Sequence, residues 1–245
     1  MRRFVPARKV GLLLFAVFTF VFVAVALSAS RFAVLTIQDA QDKAKTSSQQ
    51  EPRKTSQPYT GDLSIFENKD RDENLQVQRV MDILGIKEGA HVADIGAGSG
   101  WFTVRAAKRV GSTGIVYAVD INPESVAYIN RRIQRDGIGN VHVILSQEDD
   151  PGLSKNSIDS VLLLKTYHEV AHPVLLLEKL RSSLRGGAKV GIIDRNGKGD
   201  DHGVSREVVI QEAAQAGYQL QEQYDFVKGD GQDYFLVFRA NSAPR

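Results

Sequence analysis

The chain has 245 residues, no cysteine and a formal net charge of +2. The lack of cysteine excludes disulfides, cysteine-ligated metals and a cysteine nucleophile, whereas an apolar fraction of 42% is ordinary for a protein with a packed core. Four basic residues, Arg2, Arg3, Arg8 and Lys9, open the chain, and subtracting them from +2 leaves −2 for the rest. Because the rest is not basic, it lacks the electrostatic footprint of a nucleic-acid binder, and no nucleic-acid partner is expected.

The N-terminal segment, residues 1–30, is predicted to be a membrane anchor or a signal segment. Residues 10–29 carry no charge, and about 20 helical residues at 1.5 Å each match the ~30 Å hydrocarbon core of a bilayer. An uncleaved single-pass anchor is preferred, because the apolar run is long for a signal peptide. The alternative is a signal peptide cleaved after the small residues at 24–26 or 28–30, with export of the remainder. A buried soluble helix is disfavoured, since no polar residue marks an outer face.

The remaining chain divides into a polar tether, residues 31–60, and one domain, residues 61–245. The tether is predicted to be flexible because the stretch 38–60 is polar and is interrupted by Pro52 and Pro58. From residue 61, short β-rich runs alternate with amphipathic stretches, which predicts a parallel sheet covered on both faces. The predicted strands are 91–95, 115–120, 141–145, 157–164 and 189–194. The predicted helices are 72–84, 102–110, 123–136, 173–184 and 205–216. Two further β-type runs, 219–227 and 233–239, are joined only by KGDGQ and predict an antiparallel hairpin.

The sequence VADIGAGSGWF, Val92–Phe102, predicts a nucleotide-type loop between the first strand and the following helix. Glycine allows the backbone to turn sharply and to approach a ligand at a helix N-terminus. Gly96, Gly98 and Gly100 give the spacing G-x-G-x-G, and the third glycine of the dinucleotide fingerprint would fall on Trp101. No G-x-x-x-x-G-K-[ST] motif is present, which disfavours a P-loop.

The run VADIGAGSG resembles the first motif of class I S-adenosylmethionine (SAM)-dependent methyltransferases, and the resemblance extends over residues 71–240. It implies a doubly wound, seven-stranded, mostly parallel α/β sheet with a C-terminal antiparallel hairpin, preceded here by the N-terminal hydrophobic helix. SAM is the implied cofactor, bound by the three glycines, by Asp94 at the methionine part and by Asp120 at the ribose hydroxyls. Glu148 or Asp149, with Asp149 slightly preferred, is implied at the adenine amino group. The sequences IFENKDRD, EDDPGL, KTYHEV and DYFLVFR are similar to a generic group of bacterial methyltransferase domains.

Candidate acceptor-side residues follow the fourth strand, because ligands bind at the C-terminal edge of such sheets. The sequence TYHEVAHP supplies Tyr167, His168, Glu169 and His172. His168 is the preferred catalytic residue, as a base or as a residue that orients the acceptor, since neutral imidazole accepts a proton near pH 7. Asp194 and His202, after the fifth strand, are further candidates for the acceptor pocket. No metal site is expected, because no clustered carboxylate and asparagine set is evident.

The predicted function is SAM-dependent methyl transfer to a small-molecule or lipophilic acceptor by a membrane-tethered enzyme. No N-P-P-Y-type motif follows the fourth strand, which disfavours aminopurine acceptors, and a membrane anchor makes a quinone or isoprenoid more attractive. A non-catalytic SAM-binding sensor or interaction module is the alternative, and a nicotinamide oxidoreductase is a third reading. Basic residues before the apolar run predict a cytosolic N-terminus and an external domain, whereas SAM is made in the cytosol. The sequence therefore leaves the membrane side of the domain, the acceptor and the oligomeric state open.

Overall fold

The computed structural model describes residues 52–55, 59, 61–68, 70–198 and 202–241. Residues 51–245 form one compact unit. The predicted anchor or signal segment, residues 1–30, and most of the predicted tether lie outside the described residues. Within the described ranges, no helix combines the length and the apolarity needed to cross a bilayer.

A seven-stranded sheet in the order β3-β2-β1-β4-β5-β7-β6 forms the centre of this unit. The first five strands run parallel to one another, whereas β7 is antiparallel to both β5 and β6. The predicted mostly parallel sheet with a C-terminal antiparallel hairpin is thus confirmed. The strands are β1 His91–Ile95, β2 Ile115–Asp120, β3 Val141–Leu145, β4 Ile158–Leu164, β5 Leu184–Arg195, β6 Tyr218–Tyr224 and β7 Asp233–Ala240.

Six α-helices are described in this unit, and those that follow β-strands begin close to the predicted positions. They are α1 Arg71–Leu75, α2 Val77–Leu84, α3 Trp101–Val110, α4 Pro123–Arg135, α5 Pro173–Arg181 and α6 Arg206–Gln215. Proline occupies the first turn of α4 and α5, where its missing N–H costs nothing. A 3-10 turn, Tyr167–Glu169, connects β4 to α5.

The helices cover both faces of the sheet, because the central strands bury alternate side chains on opposite sides. In β4, Val161 and Leu163 pack with α5 and α6, whereas Leu162 and Leu164 pack with α2 and α3. A small third cluster around Ile129 of α4 packs over β2. Burial of both faces explains why the strands read as nearly continuous apolar runs.

The two largest differences from the predicted boundaries concern one helix and one strand. The single helix predicted over 72–84 is broken at Gln76, which takes a left-handed conformation with φ of 48° and lets α2 start in a new direction. Its side-chain amide donates to the carbonyl of Phe226, so a tertiary contact holds the break. The fifth strand begins at Leu184, five residues earlier than predicted, because β4 also pairs with the segment that contains the double glycine.

Candidate functional site

A cavity of about 350 Å³ lies where β1, β2 and β4 end. The chain leaves β1 toward β2 on one side, and β4 lies on the other side, so this is the switch point of the sheet. The volume falls within the range of small-molecule sites. Three polypeptide segments supply most of the wall: the glycine loop after β1, the turn after β4, and the chain between residues 55 and 71.

Asp120, at the end of β2, accepts a hydrogen bond from the glycine loop. The backbone N–H of Gly98 donates to Asp120 Oδ2 at 2.8 Å, and the N–H of Asn122 donates to Oδ1 at 2.9 Å. Gly98 has a φ of 55°, a conformation that favours glycine, and a Cβ added there would meet no atom within 4 Å. Gly96, Gly98 and Asp120 line the cavity, whereas Gly100 does not and instead begins α3.

Asp94 is a buried carboxyl group on the cavity wall. It is 2% exposed and accepts a hydrogen bond from Thr103 Oγ1 at 2.6 Å. Burial raises the pKa of Asp94 to about 6, aided by nearby Asp120 and opposed by Thr103 and Arg71. Burial also raises the pKa of Asp120, against the hydrogen bonds from Asn122 and Gly98. Asp94 and Asp120 are thus close together and poorly solvated, so their carboxylates place negative charge on this part of the cavity wall.

The two acids predicted for the adenine amino group are placed differently. Glu148 lines the cavity together with Ser146 and Gln147, whereas Asp149 is not among the lining residues. The turn that contains them is closed by a bridge between Gln147 and Asp150. The cavity geometry therefore favours Glu148 over the slightly preferred Asp149.

Trp101 and Arg71 form part of the wall next to the glycine loop. The guanidinium groups of Arg71 and Arg105 lie over the indole ring, at 4.5 Å and 4.1 Å from its centroid. Arg71 lines the cavity, and its charge lowers the pKa of Asp94. Arg71 falls within the sequence IFENKDRD, but no role was predicted for it, because it lies at the start of α1, far from the glycine motif along the chain.

His168 is fixed by Asp194, which is wholly buried at the end of β5. The backbone N–H of His168 donates to Asp194 Oδ2 at 3.0 Å, and its Nδ1 lies 2.8 Å from Oδ1. A carboxylate oxygen accepts hydrogen bonds, so this contact is donated by Nδ1–H and leaves Nε2 pointing away from Asp194. The structure thus brings together two of the predicted acceptor-side residues.

His168 itself is 4% exposed and does not line the cavity, whereas Glu169 does. Nε2 of His168 lies 3.7 Å from Glu169 Oε1. Burial raises the pKa of Glu169; the charge of His168 lowers it, and those of Asp194 and Asp120 raise it. The group that reaches the cavity is therefore the neighbour of the predicted catalytic residue.

The other predicted candidates occupy distinct positions. Tyr167 is buried and donates its hydroxyl hydrogen to Glu212 Oε2 at 2.9 Å. His172 precedes α5 and does not line the cavity. His202 is exposed, and its ring meets that of His168 edge-to-face at a centroid distance of 6.0 Å.

Described residues that precede α1 also line the cavity. Thr55, Tyr59, Leu63 and Phe66 contribute to the wall, and the rings of Tyr59 and Phe66 meet edge-to-face at 5.2 Å. Arg53, which falls within the predicted tether, is docked on the same unit.

Arg53 binds the turn after β4 through hydrogen bonds. Its backbone N–H donates to the carbonyl of Ala171 at 2.9 Å, and its guanidinium group donates to the carbonyls of Tyr167 and Val170. The same guanidinium forms an ion pair with Glu212 at 2.9 Å. These contacts join the segment before the domain to the turn that carries His168.

Comparison with known proteins agrees with this geometry. A family model described as a methyltransferase domain matches residues 86–226. Among solved structures, a SAM-dependent methyltransferase from Aquifex aeolicus is 27% identical and superposes with a TM-score of 0.66, covering 72% of this chain and 95% of that one.

Curated relatives share a shorter region. A protein-L-isoaspartate O-methyltransferase of Pyrococcus horikoshii is 32% identical over 102 residues, which is 42% of this chain and 44% of that protein. The ubiquinone/menaquinone biosynthesis C-methyltransferase UbiE of Hydrogenovibrio crunogenus is 29% identical over 118 residues, 48% of this chain and 46% of that protein. The chain thus spans less than half the length of these two relatives.

Proposed function

Since this chain belongs to the class I SAM-dependent methyltransferases, enzymes that take their methyl group from S-adenosylmethionine, we propose that it methylates a small, largely apolar molecule bound in the cavity. The observation that carries this proposal is the wall of Tyr59, Leu63 and Phe66 on the acceptor side. Aromatic and aliphatic side chains at that position favour an apolar acceptor over a polyanion or a polar peptide. The quinone-pathway relative supports the same class of acceptor.

The residues at the end of β1 and β2 fit SAM. Asp120 has lone pairs left after accepting from two backbone N–H groups, so it can accept from both ribose hydroxyls. The guanidinium group of Arg71 lines the cavity near Asp94 and suits the methionine carboxylate, while Asp94 suits the ammonium group. Glu148 lines the cavity, and we assign it to the adenine amino group.

Positioning is the main task of the protein in this reaction. When bound, SAM would supply a methyl group activated by its sulfonium sulfur, and the acceptor would displace the sulfur from that methyl carbon in line. The chain's own residues hold the acceptor at the correct distance and exclude water. We assign Glu169 to contact the acceptor. His168, which is held by Asp194, is assigned to position the Glu169 side chain.

A transfer assay with methyl-labelled SAM and fractionated cell extract tests this function. We expect label in the organic-soluble small-molecule fraction, and loss of that label with Asp120→Ala. Label that accumulates instead in the protein fraction would overturn the small-molecule acceptor and favour an activity like that of the isoaspartate relative. Glu148→Gln and Asp149→Asn form a matched pair, of which only the first is expected to weaken SAM binding.

Tethering to a membrane rests on the sequence of residues 10–29 alone. We propose that this segment anchors the enzyme and brings it near lipophilic acceptors, with export after cleavage as the alternative. Cell fractionation with C-terminal reporters, one active only in the cytosol and one only outside it, tests both points. A full-length, membrane-bound, cytosolic product is the result expected of an enzyme with access to SAM. A shortened, external product would contradict anchoring.

A further inference from the structure

We infer that His168, Glu169 and His202 bind one divalent transition-metal ion at the edge of the cavity. Each residue offers one donor atom, and the three donor atoms all lie within 4.8 Å of one another. Two imidazole nitrogens and one carboxylate oxygen form a donor set typical of catalytic Zn²⁺ sites, which keep a further position open for water or substrate. The ion's catalytic role rests on the proposed function, but its binding does not.

His168 has the arrangement of a metal-ligating histidine. Such residues commonly donate the second ring N–H to a carboxylate, which fixes the ring and raises the basicity of the ligating nitrogen. Here Nδ1 lies 2.8 Å from Oδ1 of the fully buried Asp194, so the Nε2 lone pair is directed away from that carboxylate. Nε2 is already 3.7 Å from Glu169 Oε1, and two ligands on one Zn²⁺ lie about 3 to 3.5 Å apart.

His202 reaches the cluster through the connection after β5. Its backbone is left-handed, with φ of 56°. The chain on either side is tied together by a bridge between Lys198 and Val204 and by the Val204 N–H donating to the carbonyl of Arg195 at 2.9 Å. This return places the His202 ring across from His168, at a centroid distance of 6.0 Å. No metal site was expected from the sequence, because these ligands follow different strands.

Local charge also favours a cation. Glu169 and Asp120 line the cavity, and Asp194 lies behind His168. Burial raises the pKa of Glu169, the charge of His168 lowers it, and the charges of Asp194 and Asp120 raise it. A divalent ion at Nε2 and Oε1 would offset this repulsion at the position where two carboxylates converge.

The ion would activate a hydroxyl acceptor. An acceptor hydroxyl at the open position would have its pKa lowered by the ion, and its proton would be released to solvent on ionisation. The oxygen lone pair then forms the O–CH₃ bond, while the S–CH₃ bond breaks and its electron pair stays on sulfur. The products are a methyl ether and S-adenosylhomocysteine. The inferred acceptor class is therefore a small apolar molecule with a hydroxyl or enol group.

Metal titration of the untagged full chain, after dialysis against a chelator, tests the inference. Zn²⁺ is titrated by calorimetry and Co²⁺ by visible absorption, which reports nitrogen and oxygen ligation directly. We expect one equivalent to bind. His202→Ala is expected to weaken binding at least about tenfold, and Glu169→Gln likewise. His172→Ala is the matched control, since His172 belongs to the connection between β4 and α5 but not to the cluster.

Two results would overturn the inference: no saturable binding at one equivalent, or equal affinity in the wild type and in His202→Ala. His202 is exposed, so its replacement leaves the core intact and a loss of binding is not explained by unfolding. A parallel SAM titration separates the two proposals. SAM binding without metal binding overturns only the metal site, whereas metal binding without SAM binding contradicts the proposed function.

Discussion

Asp94→Asn is expected to stabilise the protein and to impair its function. The pKa of Asp94 is about 6 in the folded chain, against about 3.9 in an unfolded one. A folded-state pKa above the unfolded value means that the stability provided by the neutral carboxyl group is present below pH ~4 and is lost as the pH rises through about 6. The difference corresponds to about 3 kcal/mol at pH 8. An asparagine stays neutral and retains an oxygen that can accept from Thr103.

Urea unfolding of the wild type and the variant at pH 4.5, 6 and 8 measures this effect. The variant is expected to be more stable by about 3 kcal/mol at pH 8, with the difference shrinking toward zero at pH 4.5. Asp82→Asn is the matched control, because the Asp82 side chain is 65% exposed and its replacement acts little and almost equally at each pH. A variant that is no more stable than the wild type at pH 8 would refute the reasoning. SAM affinity is expected to fall, the usual conflict between stability and function at a binding site.

Three further predictions concern the loop, the ribose acid and the docked segment. Gly98→Ala is expected to cost only about 1 kcal/mol of stability but to abolish SAM binding measured by calorimetry. Gly96→Ala is expected to lower the urea midpoint sharply, because its Cβ would lie 2.2 Å from Thr166 Cγ2. Equal midpoints for the two variants would contradict this contrast. Asp120→Ala is expected to weaken SAM at least about tenfold, since a charged hydrogen bond contributes about 1.5–3 kcal/mol, and unchanged affinity would exclude its ribose role. Arg53→Met is expected to cost about 2–4 kcal/mol in urea unfolding, because it leaves the carboxylate of Glu212 half-buried without its cation; no change would show that the docking is not maintained in solution.

Much of the fold could be predicted because the sequence encodes it locally. Parallel strands buried on both faces read as apolar runs, and proline and glycine mark the helix ends. The break at Gln76 could not be predicted, since it depends on a contact with Phe226 far along the chain. The early start of β5 likewise depends on pairing with β4, which competes with the turn preference of its two glycines.

The cofactor side of the site was more accessible to prediction than the acceptor side. Asp94 and Asp120 follow directly from strand ends next to the glycine loop, and both line the cavity. On the acceptor side, His168 is prominent in the sequence, but its neighbour Glu169 reaches the cavity. No role was predicted for Arg71 or for the wall residues Tyr59, Leu63 and Phe66, because they are brought to the site only by tertiary packing.

Titration of the full chain with SAM, followed by Trp101 fluorescence, tests the central claim most directly. Trp101 is the chain's one tryptophan and lies on the cavity wall beside the glycine loop. The account predicts a saturable change with one equivalent of SAM, reproduced by S-adenosylhomocysteine and lost in Asp120→Ala. An unchanged signal with SAM, or a saturable change with NADH in its place, would contradict the account.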